Sequence, residues 1–444
     1  MAGGTARRPG ELLVLSADTR EELDGATRAL ADELASRPTK PLADVAGELQ
    51  LTRPALRYRR VVEAADTTAA VRLLRRPLST VEKTADPAVV FLFPGVGDHH
   101  AGMGRDLYRH EPVFRHWLDR SARFLARHCG LDLLPVLYPS DETGREPGRI
   151  DLAGLLGRGD GSGPLVRESA LDDTRVAQPL VFAVEHALAK LLLSWGIRPA
   201  AMAGYSIGEY VAATLAGVFS LEDALTVVAR RAELIETVPP GAMLVVMLGS
   251  AELAARLDDE LSLAAVDGAT LCVAAGPHHA VERLEKLLTA DGVASVRATT
   301  RHAFHSAMMA PVERPLAELV RSVRLRAPST PLLSNVSGTW LRADEATSPG
   351  YWARHLSATV RFHDELTELW RQPGAIALEV GAGRMLGGLA AQHPGCPRGA
   401  PPVQFTLPGA TAGADVPSLA VTAGRLWQAG VPVDWSGFRS QEGR

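Results

Sequence analysis

The chain has 444 residues, of which 46% are hydrophobic, enough for two to four domains with substantial cores. A net charge of −4 with 22% charged residues argues against nucleic-acid binding, and the absence of a run of about 20 apolar residues argues against a membrane span. The three cysteines, Cys129, Cys272 and Cys396, match no metal or redox spacing, so we expect reduced thiols in a cytoplasmic protein.

The first predicted domain covers residues 11–86 and is a small α+β unit. Glu11–Ala17 (ELLVLSA) has the apolar run of a strand, and Asp18 is a suitable N-cap for the helix that follows. The remaining predicted elements are a helix at 42–49, a strand at 56–64 and a helix at 67–76. This domain shows no set of catalytic side chains.

A larger α/β domain is predicted from residues 87–241 and 303–395. It begins with Ala88–Phe93 (AVVFLF), a continuous apolar run typical of a central parallel strand covered on both faces. Its other predicted core elements are a long helix at 178–195 and strands at 200–203, 331–334 and 375–380.

Residues 242–302 are predicted to form an insertion within the larger domain. Strand patterns alternate with helical patterns in a β-α-β-α-β order, which favours a small ferredoxin-like subdomain. The strands are expected at 242–248, 270–275 and 295–298, and the helices at 251–261 and 280–290. Residues 396–444 are predicted to be a tail: a Pro- and Gly-rich extended connection, then a helix at 419–429.

The strand at 200–203 leads into Gly204-Tyr205-Ser206-Ile207-Gly208, a Gly-x-Ser-x-Gly pattern before a helix. Such a turn exposes a serine at a helix N-terminus, where free N–H groups stabilise an oxyanion. A serine nucleophile needs a base, and His305 is the best candidate, although its spacing alone favours a capping or core histidine. No acid is placed to orient His305, so a main-chain carbonyl is the alternative.

Several stretches of the chain together resemble the acyltransferase domain of modular polyketide synthases, which is related to malonyl-CoA:acyl-carrier-protein transacylase. They are FLFPGVGDHHAGMGRDLY, TRVAQPLVFAVEHAL, AGYSIGEYVAATLAGVFSLEDAL, GAMLVV, HAFHSAMMAPV, LLSNVSG, YWARHLSATVRF and ALEVGAGRMLGGL, all within about 87–395. LLVLSA and its helices resemble the linker between ketosynthase and acyltransferase, and GRLWQAGVPVDW resembles the segment after the acyltransferase. The resemblance implies an α/β-hydrolase-like core with a parallel sheet and a ferredoxin-like insertion.

The resemblance also implies catalytic roles. Ser206 would be acylated by a thioester, and His305 would act as general base and then as general acid. The backbone N–H groups of Val96 and Ile207 would form the oxyanion hole. The main-chain carbonyl of His355 would orient His305.

Four further residues are implied in substrate binding: Arg231, Gln178, Phe304 and Tyr205. Arg231 would grip the free carboxylate of a malonyl group, although the pattern alone fits a surface helix arginine. Gln178 would line the pocket or simply start a helix. Phe304 resembles the malonyl-selective form of the family, because its ring would crowd an α-methyl group. The family usually has His at 205 and Gln at 96, so Tyr205 leaves the fine selectivity open.

We therefore expect an enzyme that moves a malonyl-type unit from CoA to the phosphopantetheine thiol of an acyl carrier protein. The alternatives are a methylmalonyl or unusual-extender acyltransferase, an editing acyl hydrolase or esterase, and an inactive docking module. We expect no bound cofactor or metal, because His99-His100 and His278-His279 lack a third ligand. The expected partners are the carrier protein, the acyl-CoA and, through the linker, a ketosynthase or other synthase domains, with no nucleic acid and no membrane.

Overall fold

The computed structural model of the protein describes residues 10–139, 171, 173–398, 402–410 and 415–440, so parts of the predicted tail lie outside the described residues. The strands are β1 (Glu11–Ala17), β2 (Tyr58–Ala64), β3 (Val81–Glu82), β4 (Ala88–Phe93), β5 (Ala201–Gly204), β6 (Ala242–Val246), β7 (Ser262–Gly268), β8 (Leu271–Gly276), β9 (Ser295–Arg297), β10 (Ala375–Glu379) and β11 (Val403–Phe405). The helices are α1 (Arg20–Ser36), α2 (Leu42–Thr52), α3 (Thr67–Leu74), α4 (Arg105–His110), α5 (Pro112–Cys129), α6 (Leu134–Leu137), α7 (Thr174–Ser194), α8 (Gly208–Leu215), α9 (Leu221–Ile235), α10 (Ser250–Ala254), α11 (His278–Ala290), α12 (Ala310–Arg321), α13 (Ala343–Ala346), α14 (Pro349–Arg354), α15 (Phe362–Trp370), α16 (Met385–Gln392), α17 (Asp415–Ala429) and α18 (Trp435–Arg439).

The first domain is an antiparallel sheet in the order β1-β2-β3, covered by α1, α2 and α3. Its own core contains Leu13, Leu23 and Leu34, all buried. Helix α1 is capped by Thr19, whereas the sequence favoured Asp18. Thr19 and Glu22 exchange side-chain and backbone hydrogen bonds, and this capping box satisfies two helix-terminal groups where one Asp would satisfy one.

The central sheet of the large domain is parallel, in the order β11-β10-β4-β5. Alternate residues of β4 enter two different cores, Phe91 and Phe93 on one face, Val90 and Leu92 on the other. This explains the continuous apolar run of β4. The strand predicted at 331–334 was wrong: only isolated bridges form there, because the chain turns back at once through hydrogen bonds between residues 334 and 338–339.

Helix α7 lies under this sheet and is almost entirely buried. Among the described residues it is the one helix long and apolar enough to cross a membrane, and 83% of that apolar stretch is buried inside the protein. It packs against α5, α8 and α9, so its apolar faces are covered by the rest of the large domain.

The inserted subdomain has the element order β6-α10-β7-β8-α11-β9 and an antiparallel sheet in the order β7-β8-β6-β9. This is the ferredoxin-like β-α-β-β-α-β pattern. β7 was not predicted from the sequence, and α10 is shorter than the predicted helix at 251–261. β7 is rich in alanine, and its strand structure depends on pairing with β8 and with Val360 of the large domain, which no local pattern reveals.

The described part of the tail packs against both the central sheet and the first domain. β11 adds an edge strand to the central sheet where the sequence predicted only a connection, and α17 packs against both β11 and the first domain. Arg59 of β2 donates a hydrogen bond to the carbonyl of Trp427, and its guanidinium lies 4.8 Å from the Trp427 ring. Arg439 then donates to Gln50 Oε1 at 3.2 Å. These contacts hold the first domain against the tail.

Candidate active site

Ser206 lies in a tight turn between β5 and α8. A Cβ atom on Gly204 would lie 2.1 Å from the amide nitrogen of Glu209, and one on Gly208 would lie 2.1 Å from the carbonyl oxygen of Phe93. Only glycine fits at both positions, which is the steric reason for the Gly-x-Ser-x-Gly spacing. The turn leaves Ser206 with φ +52°, in the left-handed region.

His305 is brought onto Ser206 from the other side of the inserted subdomain. Its Nε2 lies 2.8 Å from Ser206 Oγ, in hydrogen-bond geometry. Within the described part of the chain, Ser206 and His305 (φ +55°) are the non-glycine residues with positive φ. Strained backbone at both members of a hydrogen-bonded Ser–His pair is typical of a catalytic site.

The second ring nitrogen of His305 is held by a main-chain carbonyl, as the sequence suggested, and the carbonyl of Ala358 contributes more than the predicted carbonyl of His355. Nδ1 hydrogen-bonds to the carbonyl of Ala358 at 2.9 Å, while the predicted carbonyl of His355 makes the smaller contribution to favouring the protonated ring. The cause is a turn after α14, in which Leu356 accepts a hydrogen bond from His305 N at 3.1 Å and Ala358 follows onto the ring.

His305 is buried, and its surroundings disfavour a positive charge. Burial, first, and then the charges of His355 and Arg231 lower its pKa to about 3, against weaker support from the Ala358 carbonyl. The imidazole is therefore neutral at physiological pH and ready to accept a proton from Ser206.

Arg231 comes from α9 and is fully buried, at 0% exposure. It donates through Nη1 to Gln178 Oε1, and its guanidinium carbon lies 5.7 Å from the Tyr210 ring centroid. Its Nε and Nη2 are buried and have no hydrogen-bond partner among the described residues. A buried cation with two free N–H groups on one fork is complementary to a carboxylate.

The other predicted site residues surround the pair less directly. Phe304 is half-buried beside His302, with 6.1 Å between the ring centroids. Tyr205 is half-buried, packs edge-on against Phe362 at 5.7 Å and interacts through its hydroxyl with Asp267 of β7. Its polar end thus faces the inserted subdomain.

The predicted oxyanion-hole residues differ in exposure. Ile207 is buried at the start of α8, and Val96 is 38% exposed in the turn after β4. The neighbouring Gly95 donates its amide to Oε1 of Glu185 on α7 at 2.8 Å. The sequence analysis missed Glu185, although the residue stands in the same stretch as Gln178, two helical turns later.

A second residue missed from the sequence is Asn335, whose side chain accepts a hydrogen bond from Ser206 N at 2.7 Å. The LLSNVSG stretch contributed to the family resemblance, but nothing in it indicates contact with a serine far away in the chain. Only the folded chain brings the two together.

Comparison with known proteins decides the family. The model of the family described as "Acyl transferase domain" matches residues 90–382, and the model described as "CurL-like, PKS C-terminal" matches residues 11–74. The chain belongs to the acyltransferase domain family of polyketide synthases. The acyltransferase is 35% identical over 451 residues to a phenolphthiocerol/phthiocerol polyketide synthase of Mycobacterium tuberculosis, covering 96% of this chain and 28% of that protein.

It is also 32% identical to the spectinabilin polyketide synthase system protein NorB of Streptomyces orinoci, covering 97% of this chain and 19% of that protein. The acyltransferase thus spans less than a third of these curated relatives.

Solved structures agree with this assignment. The acyltransferase superposes on the acyl transferase domain of ZmaA with a TM-score of 0.86 and 33% identity, covering 99% of this chain and 98% of that one. For the acyl transferase domain of SpnD, in complex with 2-(pent-4-yn-1-yl)malonyl, the TM-score is 0.84 and the identity 36%, covering 96% and 98%. The predicted fold class, a parallel α/β core with an inserted antiparallel subdomain, is confirmed.

Proposed function

We propose that the acyltransferase moves a malonyl-type extender unit from CoA to the phosphopantetheine thiol of an acyl carrier protein, through an acyl-Ser206 intermediate, in polyketide biosynthesis. The observation that carries this proposal is Arg231. Its two unpartnered N–H groups would leave a costly buried cation unless the acyl group brings a carboxylate to them. A malonyl group has such a carboxylate, and an acetyl group does not.

The proposed first half-reaction acylates the serine. Ser206 Oγ attacks the thioester carbonyl while His305 Nε2 takes the serine proton, and the N–H groups of Val96 and Ile207 stabilise the oxyanion. The carbon–sulfur bond then breaks, and the His305 proton goes to the departing CoA thiol. The Ala358 carbonyl keeps Nδ1–H oriented throughout, in place of a carboxylate.

In the second half-reaction, the phosphopantetheine thiol of the carrier protein gives its proton to His305 and attacks the acyl-serine. Collapse of the second tetrahedral intermediate returns the proton to Ser206. Each step is served by protein groups, so we expect no resident metal or cofactor. A cytoplasmic location, with neighbouring synthase domains reached through the first domain, is part of the same proposal.

Malonyl rather than methylmalonyl is the proposed preference because Phe304 lies directly before His305 and would crowd an α-substituent. The expected discrimination is about 1–3 kcal/mol for one methyl group, so some leakage is expected. A 2-substituted malonyl unit is the second candidate. The similar SpnD domain is described in complex with a 2-substituted malonyl, which favours that candidate.

Intact-mass measurement after brief exposure to malonyl-, methylmalonyl- and acetyl-CoA tests the proposal, with Ser206→Ala and Arg231→Ala alongside. We expect a malonyl adduct that is absent from Ser206→Ala. Loss of the hydrogen bonds to the carboxylate should lower the acylation rate of Arg231→Ala by roughly 10- to 100-fold.

Other outcomes of this measurement would replace the proposal. Dominant methylmalonyl labelling would mean that the preferred substrate is a 2-substituted malonyl group. Preferential acetyl labelling would contradict the proposal that Arg231 binds the carboxylate of the acyl group. Release of free acid without transfer to a phosphopantetheinylated carrier protein would indicate an editing hydrolase, and binding without any adduct would indicate a docking module.

A further inference from the structure

A buried polar network lies beneath the nucleophile turn and is not used in the chemistry above. Its centre is Asn335, 1% exposed, in the loop that follows the isolated bridge to β5. The other members are Glu209 of α8, Ser334, Tyr351 of α14 and Glu365 of α15, each buried. Four separate pieces of the large domain therefore meet under Ser206.

Asn335 holds the turn on both sides of Tyr205. Its Oδ1 accepts the hydrogen bond of Ser206 N at 2.7 Å, and its Nδ2 donates to the carbonyl of Gly204 at 2.5 Å. The same Nδ2 donates to Glu365 Oε1 at 2.7 Å. One side chain thus ties down the peptide groups on both sides of Tyr205, the second of which sets φ of Ser206, and a carboxyl group fixes which way its amide points.

The backbone of Asn335 is itself anchored. Its amide donates to Glu209 Oε2 at 2.8 Å, and the hydroxyl of Tyr351 donates to the other oxygen of Glu209. His355 Nε2 lies 3.2 Å from Glu209 Oε2. Since α14 leads into the turn that holds His305, the network reaches the elements that carry both members of the Ser–His pair.

Burial, and then the charge of Glu209, raise the pKa of Glu365 well above its usual value, and its Oε1 accepts from Asn335 Nδ2. Glu209, Tyr351, Tyr205 and Asp364 are the other ionisable groups that interact electrostatically with Glu365. Glutamine at position 365 would match the glutamic acid in shape and keep a carbonyl oxygen to accept from Asn335 Nδ2.

We propose that Asn335 is a positioning residue for the Ser206 nucleophile, and that Glu365 positions the Asn335 amide. This inference rests on the proposed function, because it assumes that acylation of Ser206 is the reaction. Without the Asn335 side chain, the Ser206 amide loses its partner in a buried site and the turn is free to relax away from the strained conformation. The Ser206 hydroxyl is then no longer aligned with the thioester carbonyl, while the acyl-CoA site stays intact.

The test measures single-turnover acylation of Ser206 by malonyl-CoA, with KM and kcat separated and each variant checked for folding by thermal melting. For Asn335→Ala we expect kcat to fall about 100-fold, the size expected for a displacement of about 1 Å, with KM changed less than about twofold. Ser329→Ala is the matched control, because it removes a hydrogen bond of the large domain, to the Ala216 carbonyl at 2.8 Å, that lies outside this network. It should keep its kcat.

Two conservative variants separate positioning from a merely structural role. Glu365→Gln should keep kcat within about threefold, whereas Glu365→Leu should lose at least about tenfold. Asn335→Asp should be slow at pH 8 and recover as the pH is lowered, because a protonated aspartic acid regains one donor toward Gly204 or Glu365.

If the parent protein fails to acylate with any acyl-CoA, the proposed function itself is lost. If the parent acylates and Asn335→Ala has an unchanged kcat, the positioning role is wrong. The same holds if Ser329→Ala loses as much kcat as Asn335→Ala.

Discussion

Ser206 and His305 are each held in a left-handed backbone conformation by contacts from other segments of the chain. Gly208 allows the close approach of β4 behind the serine, and the carbonyls of Leu356 and Ala358 hold the histidine. Left-handed conformations of such residues cost about 1–3 kcal/mol each, so the surrounding fold must supply that energy. The reactive geometry is therefore a property of the whole neighbourhood rather than of two side chains.

At this scale we predict an acid-tolerant acylation step. Because the pKa of His305 is lowered to about 3, the imidazole stays neutral and competent as a base as pH falls, and activity is lost only near that folded-state value. We expect the rate of Ser206 acylation to change less than about twofold between pH 5 and pH 8. A stopped-flow or rapid-quench pH profile measures it, with melting curves as the control for stability. A midpoint near 6.5, the usual value for histidine, would contradict the prediction.

Helix α7 connects the two ends of the site. Gln178 in its first half contacts Arg231, and Glu185 two turns later accepts the amide of Gly95, next to Val96. Both side chains lie on one face of a helix that is buried almost throughout, so the proposed carboxylate clamp and oxyanion hole share one rigid support.

We therefore predict that Glu185 acts through the Gly95 amide. Burial raises the pKa of Glu185 well above its usual value. Glutamine keeps an oxygen that can accept the Gly95 amide, so Glu185→Gln should keep kcat for acylation. Glu185→Leu removes the acceptor and should lower kcat about tenfold with little change in KM. Steady-state kinetics on the two variants provide the comparison. Equal activity of Glu185→Leu and the parent would show that Gly95 needs no partner.

The sequence predicts those elements whose pattern is local. The apolar run of β4, the glycine spacing around Ser206 and the position of α7 all follow from side chains that are close in the chain. By contrast β7, β11 and the partner of His305 depend on pairing between distant segments, and Asn335 contacts Ser206 across more than a hundred residues. Family resemblance indicated the carbonyl of His355, and the structure adds that of Ala358 as the stronger partner, since a few residues of turn decide which carbonyl lies nearer the ring.

At the scale of the molecule, several buried carboxyl groups in the described part of the chain share one dependence on pH. Burial raises the pKa values of Asp267 and Glu379 to about 7, and it raises those of Glu185 and Glu365 well above the usual range. In the unfolded chain these groups ionise near pH 4, so above that pH the folded protein binds more protons than the unfolded one. Stability therefore falls as pH rises toward and through the folded-state pKa values.

Buried histidines have the opposite effect on the dependence of stability on pH, but only below about pH 6.5. The pKa values of His186 and His305 are lowered to about 3 from 6.5, so their effect is to raise stability with pH up to about 6.5 and no further. Between pH 6.5 and pH 8 the carboxyl groups dominate, each contributing a loss of at most about 1.4 kcal/mol per pH unit.

We predict that Tm falls across this interval and that Glu379→Gln flattens the decline. Glu379 accepts the amides of Leu386 at 3.2 Å and Gly387 at 2.7 Å, and glutamine keeps one acceptor while removing the ionisation. Glu318→Gln, at an exposed ion pair on α12, is the matched control and should leave the slope as in the parent. Differential scanning calorimetry at pH 6.5, 7.25 and 8 measures all three proteins. A constant or rising Tm in the parent would contradict the prediction. It would mean that ionising the buried carboxyl groups does not lower the free energy of unfolding.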